Sequence, residues 1–223
     1  MGGILKKKLD VAVKEKQSMN FIPLNVSLDE ACMSDFARRY HFEEKDNNEI
    51  DKLYRKVAPR IHAQFHYVLL DDRGSALGKD ISFDRKNVSK ALVVVTLGQA
   101  FDEFQDSFLV NPSSRSDIHK AYILDCLGLE YLWAAYDEID KKIYEFTGLF
   151  AGDYTYVGDE KLPLSELPRL MGLLGQKVVT YNGAFALIPK KSVVFEIHLL
   201  DKKVKKHGRC SACQARDCSL RRE

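Results

Sequence analysis

Ala91-Leu92-Val93-Val94-Val95-Thr96-Leu97-Gly98 is the stretch on which the fold turns. Apolar and β-branched residues follow one another with no polar alternate, so it reads as a strand buried on both faces. Upstream, Phe65-His66-Tyr67-Val68-Leu69-Leu70 is a second strand, and Asp71-Asp72-Arg73-Gly74 is a turn signal between the two. Thr96-Leu97-Gly98 reads as a turn, in preference to a close approach of backbone to a ligand. Downstream, Val178-Val179-Thr180-Tyr181 and Phe185-Ala186-Leu187-Ile188 flank Asn182-Gly183, a hairpin dipeptide. Ser192 to His198 makes one more strand.

Helices surround these strands. Ser27-Leu28-Asp29-Glu30 is a Ser-x-x-Glu capping box. Asp46 is expected to cap a helix whose Ile50, Leu53, Tyr54 and Val57 share one face, ended by Pro59. The longest pattern starts at a cap on Ser116. Ile118, Ala121, Tyr122, Asp125, Leu129, Leu132, Trp133, Tyr136, Ile139 and Ile143 then recur at threes and fours. Its span of ~45 Å, at ~1.5 Å per residue, is long enough to brace a whole domain. The Gly/Tyr-rich stretch Gly148–Gly158 breaks it, and a short helix from Ser165 to Leu174 is closed by Gly175. Helices first, scattered strands and no β–α alternation predict an α+β domain with a mixed or antiparallel twisted sheet, N-terminal helices and one long central helix.

The chain has 223 residues, 45% apolar and 30% charged, which suffices for a sizeable core and excludes a disordered chain. Its formal net charge is +2, too small for the field of a nucleic-acid binder. No stretch approaches the roughly 18 apolar residues of a membrane helix, and no signal peptide is recognisable, so no membrane partner and a cytoplasmic location are expected. Gly2 lacks the Ser or Thr at position 6 that favours myristoylation. Phosphate loops, nucleophile elbows and His-Glu-x-x-His are absent. His41, His62, His66, His119 and His198 are dispersed, and Asp137 and Glu138 are adjacent, so neither set forms a catalytic pair. No catalytic residue is assigned.

The charge is uneven, however. Lys190 to Glu223 carries ten Lys or Arg against four Asp or Glu. The same end holds three of the five cysteines, in His207-Gly208-Arg209-Cys210-x2-Cys213-x4-Cys218. An odd cysteine count in a cytosolic chain favours reduced thiols or metal ligands over disulfides. Two thiolates two residues apart bite one metal, and a short loop returns the third. His207, three residues before Cys210, is the fourth candidate, and Cys32 or Cys126 serves only if the fold brings it near. Zinc and an iron–sulfur cluster both take such ligands. The competing reading is a basic tail with free thiols. A body over residues 1–200 and a basic Cys-rich tail over 201–223 is the expected division.

Several stretches, taken in order, resemble the stand-alone activation (reactivation, S-adenosylmethionine-binding) domain of cobalamin-dependent methionine synthase. They are Arg60–Leu70, Ala91–Gly98, Ala121–Ile139, Gly158-Asp159 through Leu164-Ser165-Glu166 to Leu174, and Ala186–Val194. Together they cover roughly Asp46 to Leu199. Stand-alone relatives also often end in the spacing seen here at Cys210, Cys213, Cys218 and Arg221. The resemblance implies a C-shaped fold that binds S-adenosylmethionine and docks on the cobalamin-binding domain of a methionine synthase or other corrinoid protein. It also implies an electron donor such as flavodoxin or ferredoxin, and a place in a methyltransferase system.

Two departures stand out. The family's Arg-x-x-x-Gly-Tyr motif corresponds here to Gly152–Asp159, which has no arginine, and a ligand-facing helix glutamate falls at Trp133. Tyr154, Tyr156, Gly158 and Asp159 remain the candidate cofactor-binding residues, because aromatics and a carboxylate suit a sulfonium and an adenine ring. A loop with turn tyrosines is the plain alternative. Retention of the fold with loss of S-adenosylmethionine leaves a metal or iron–sulfur redox or interaction module, or a purely structural partner-binding domain.

Overall fold

The structure, a computed structural model, describes residues 21–77, 87–110, 112 and 114–204. Five strands form one antiparallel sheet in the order β1-β2-β3-β7-β4: β1 (Ile22–Pro23), β2 (Gln64–Leu70), β3 (Lys90–Thr96), β4 (Phe150–Tyr156) and β7 (Ser192–Leu200). A separate two-stranded ribbon pairs β5 (Thr180–Tyr181) with β6 (Leu187–Ile188). The described helices are α1 (Glu30–Arg39), α2 (Asn47–Val57), α3 (Gln99–Asp106), α4 (Arg115–Thr147) and α5 (Leu167–Leu174). The class is α+β, as the order of helix and strand patterns predicts.

β3 is the expected two-sided strand: every residue after Lys90 is buried. Strand alternation sends Ala91, Val93 and Val95 to one face and Leu92 and Val94 to the other. The first face joins Phe65, Phe195 and Ile197 to the apolar sides of α2, α3 and α4. The second joins Val68, Leu70 and Val194 to Leu167, Leu170, Met171 and Leu174 of α5. The sheet is therefore the middle of three layers. His66 belongs to the second face, where its Nε2–H donates to the Leu174 carbonyl at 3.1 Å.

Several boundaries differ from expectation for identifiable reasons. α1 is capped by Asp29, which accepts from Cys32 N at 2.7 Å, instead of by Ser27. Asp46 holds the cap position of α2, but without a side-chain capping bond. A turn Glu44–Asp46 precedes that helix, and the Asp46 side chain instead accepts from Glu43 N at 3.0 Å. The cap position of α4 is Ser114 instead of Ser116. The ribbon loop spans residues 182–186 and is held by Asn182 Oδ1, which accepts from Ala184 N and Ala186 N. It is thus longer than the tight turn the Asn-Gly pair suggested. Gly98 has φ +93 and starts α3; a Cβ there would lie 3.1 Å from His62 Cβ, so the position needs glycine on two counts. No helix of the described residues is long and apolar enough to cross a membrane.

Candidate functional site

α4 spans 33 residues and carries two clusters, one at each of two stations along its length. It ends at Gly148, whose left-handed φ of +69 turns the chain back into β4. The stretch read as a break is therefore a strand, paired to β7 with Tyr154 opposite Ile197 and Tyr156 opposite Phe195. Its register shifts between Ala151 and Tyr154, a bulge at the sheet edge. Beyond the bulge, Tyr154 and Tyr156 lie two residues apart and share the face that meets α4.

There the two tyrosines join Tyr136 and Trp133 of α4 and Phe195 of β7. Tyr154 stacks on Phe195 with centroids 5.0 Å apart, and Tyr136 meets Phe195 edge-on at 5.3 Å. Trp133 packs edge-on to Tyr136 at 5.8 Å, and the Tyr154 and Tyr156 rings are 6.0 Å apart. Phe195 is fully buried and Tyr136 nearly so, whereas Trp133, Tyr154 and Tyr156 are half-buried. The Tyr154 hydroxyl donates to Asp140 Oδ1 of α4. The cluster thus has a buried aromatic floor, a partly open aromatic rim and a carboxylate beside it. Such a surface stacks on a flat ring or receives a compact cation.

Gly158 and Asp159 follow in an exposed turn. Gly158 N donates to the Leu162 carbonyl at 2.8 Å, and Asp159 Oδ2 accepts from Tyr156 N at 3.1 Å. Asp159 therefore ties the turn to the end of β4. Of the four sequence candidates, two meet in the aromatic cluster and two form the turn that closes the strand carrying it.

The second station was not foreseen. Glu130 of α4, only 1% exposed, accepts from the Tyr40 hydroxyl at 2.7 Å and the Cys32 thiol at 3.1 Å, and pairs with Arg39 Nη1 at 2.8 Å. Asp35 holds the other side of that guanidinium, through Nη2 at 3.1 Å. Burial opposes the charge on Arg39, but the Glu130 and Asp35 carboxylates more than offset it, so the guanidinium is held firmly protonated. Burial, reinforced by Glu130, pushes the Cys32 thiol up to about 11. Cys126, one turn before Glu130, is pushed up to about 12, again mainly by burial. Both are therefore poor nucleophiles at neutral pH. A glutamate embedded among Cys126, Leu127 and Tyr131 was the sequence signal for this cluster, since a charge within an apolar helical face demands partners.

Among the described residues, no group of three or more His, Cys, Asp or Glu is arranged to hold a metal. His207, Cys210, Cys213 and Cys218 lie outside the described residues. The dispersed histidines have other uses: His119 Nε2, for example, lies 3.2 Å from Asp46 Oδ1.

No family model matches the chain, and neither does any curated protein. Among solved structures, the chain is similar to a protein described as the MetH reactivation domain bound to AdoHcy. The match has 11% sequence identity and a TM-score of 0.45, over 84% of this chain and 80% of that one. A likeness at this level assigns no role to any residue here.

Proposed function

We propose that this chain is an accessory protein for the reductive reactivation of a corrinoid methyltransferase such as methionine synthase, with S-adenosylmethionine as methyl donor. Two things support the reading: the five sequence stretches in family order, and the half-open aromatic cluster at the segment where that resemblance expects the ligand. The second carries it. Trp133, Tyr154 and Tyr156 offer π-faces to a sulfonium and an adenine, and Asp140 and Asp159 add negative charge beside them. This donor set fits the cationic and aromatic parts of the ligand. It offers no arginine within Gly152–Asp159 for the ligand carboxylate, so binding is weak, in the micromolar range or above. When bound, S-adenosylmethionine supplies the methyl group that traps cobalamin reduced by a flavodoxin- or ferredoxin-like donor. The protein's own part is to position that methyl donor and to dock on the cobalamin domain.

Isothermal calorimetry with S-adenosylmethionine, together with a pull-down against a methionine synthase cobalamin domain, tests this. Tyr154→Ala and Tyr156→Ala should each weaken binding by about fivefold, the loss of one cation–π contact near ~1 kcal/mol. Absence of both heat and capture would sink the reading.

The second reading is a metal or iron–sulfur redox or interaction module, and it rests on the Cys-x2-Cys-x4-Cys spacing of the 201–223 tail. Under it, anaerobically purified protein carries zinc or a coloured cluster that is lost when Cys210, Cys213 and Cys218 become Ser. Metal-free protein with full activity rejects it.

A further inference from the structure

α1 is attached to the rest of the molecule unlike the helix that follows it. α2 buries Ile50, Leu53 and Val57, whereas α1, of nearly the same length, fully buries Phe36 alone. What α1 has instead is the Glu130 cluster. Three groups that reach this carboxylate come from α1 or from its C-cap: the Cys32 thiol from the first turn, the Arg39 guanidinium from the last, and the Tyr40 hydroxyl just beyond. The acceptor belongs to a helix 90 or more residues away in sequence. Charge-assisted hydrogen bonds are strong but short-ranged and directional, so they hold one geometry and are lost together once that geometry opens. Apolar contact is lost gradually.

We infer that α1 is a releasable cover over the middle of α4, latched by the Glu130 carboxylate. Docked, it neutralises a buried charge and covers the turn of α4 that carries Glu130. Released, it lets water reach Glu130 and bares an apolar strip with a single anion at its centre. Opening therefore involves α1 and leaves the sheet intact, because Cys32, Arg39 and Tyr40 belong to α1 and its C-cap. The high thiol range of Cys32 agrees with a closed latch, since burial first, and then the contact with Glu130, suppress its ionisation while α1 is docked. The inference is independent of what binds at the aromatic cluster.

The test is hydrogen exchange on the full chain combined with iodoacetamide labelling, mapped by peptide so that Cys32 is read apart from the tail cysteines. In the wild type, amides of residues 30–39 should exchange faster than those of residues 47–57. Glu130→Gln should accelerate α1 exchange and Cys32 labelling about tenfold while leaving β3 amides unchanged. Tyr40→Phe should give the same selective pattern with a smaller rise, and it carries the test if Glu130→Gln does not fold. Equal protection of α1 and α2, or acceleration spread evenly over the sheet, overturns the inference.

Discussion

Two tyrosines hydrogen-bond to carboxylates of α4, and the pairs differ mainly in their access to water. Tyr40 reaches Glu130 where both partners are buried; Tyr154 reaches Asp140 at a half-buried rim. The carboxylates are ten positions apart, ~15 Å along the helix axis. At the inner station, while α1 is docked, water cannot replace a lost partner, so the bond holds that helix in one geometry. At the outer station water or a ligand can take over either group, so the same bond leaves the site exchangeable. Burial, more than the chemistry of the pair, separates a positional device from a binding surface.

The sharpest attempt to break this contrast is Arg39→Ala, which strips the cation from a buried carboxylate. It should lower stability by about 3 kcal/mol in urea denaturation. A loss below about 1 kcal/mol would mean that Glu130 is solvated after all and the stations are alike. Tyr40→Phe, which removes one donor to a buried charge and keeps the ring, should lower stability by about 2 kcal/mol in the same assay.

Alkaline pH probes the inner station without mutation. Folding raises the Cys32 and Cys126 thiols from 9.0 to about 11 and about 12. Their contribution is fully present below pH 9 and is lost as pH rises through the folded values. Allowing for solvent screening at these partly covered groups, stability should fall by about 1 kcal/mol between pH 8 and pH 10. Replacing both thiols by Ala should flatten that part of the urea-midpoint profile. Tyr154→Phe sits at the small end, about 0.5 kcal/mol or roughly 1–2 °C in Tm. Equal losses for Tyr40→Phe and Tyr154→Phe would erase the contrast.

How much of this was legible depended on how local its cause was. β3 could be read because its burial is written as an unbroken apolar run, and α4 because its pattern repeats over many turns. α3 could not, since Gln99-Ala-Phe-Asp-Glu-Phe-Gln-Asp106 is short and polar and starts at a glycine with no side-chain cap. β4 was hidden for a similar reason. Gly152 and Asp153 are poor strand formers, and the segment extends because β7 offers an edge and two tyrosines find rings to pack on. Tyr154 and Tyr156 were named with Gly158 and Asp159 through the family resemblance, but their neighbours Tyr136, Phe195 and Asp140 are brought in by the register of β4 on β7 and its packing against α4. The Glu130 cluster was least accessible. Its acceptor stands out in an apolar face, yet nothing local says which distant donors answer it.

The place of β7 bears on how the molecule is made. It follows the other described strands in the chain, yet it fills the slot between β3 and β4. Until Ser192–Leu200 has emerged from the ribosome, both neighbours present open hydrogen-bonding edges, one of them the most apolar strand of the sheet. A nascent chain at that stage can form its first helices and the β2–β3 hairpin, but it cannot close its centre. It is then most exposed to pairing with another copy, and insertion of this one strand ends that exposure on both sides at once.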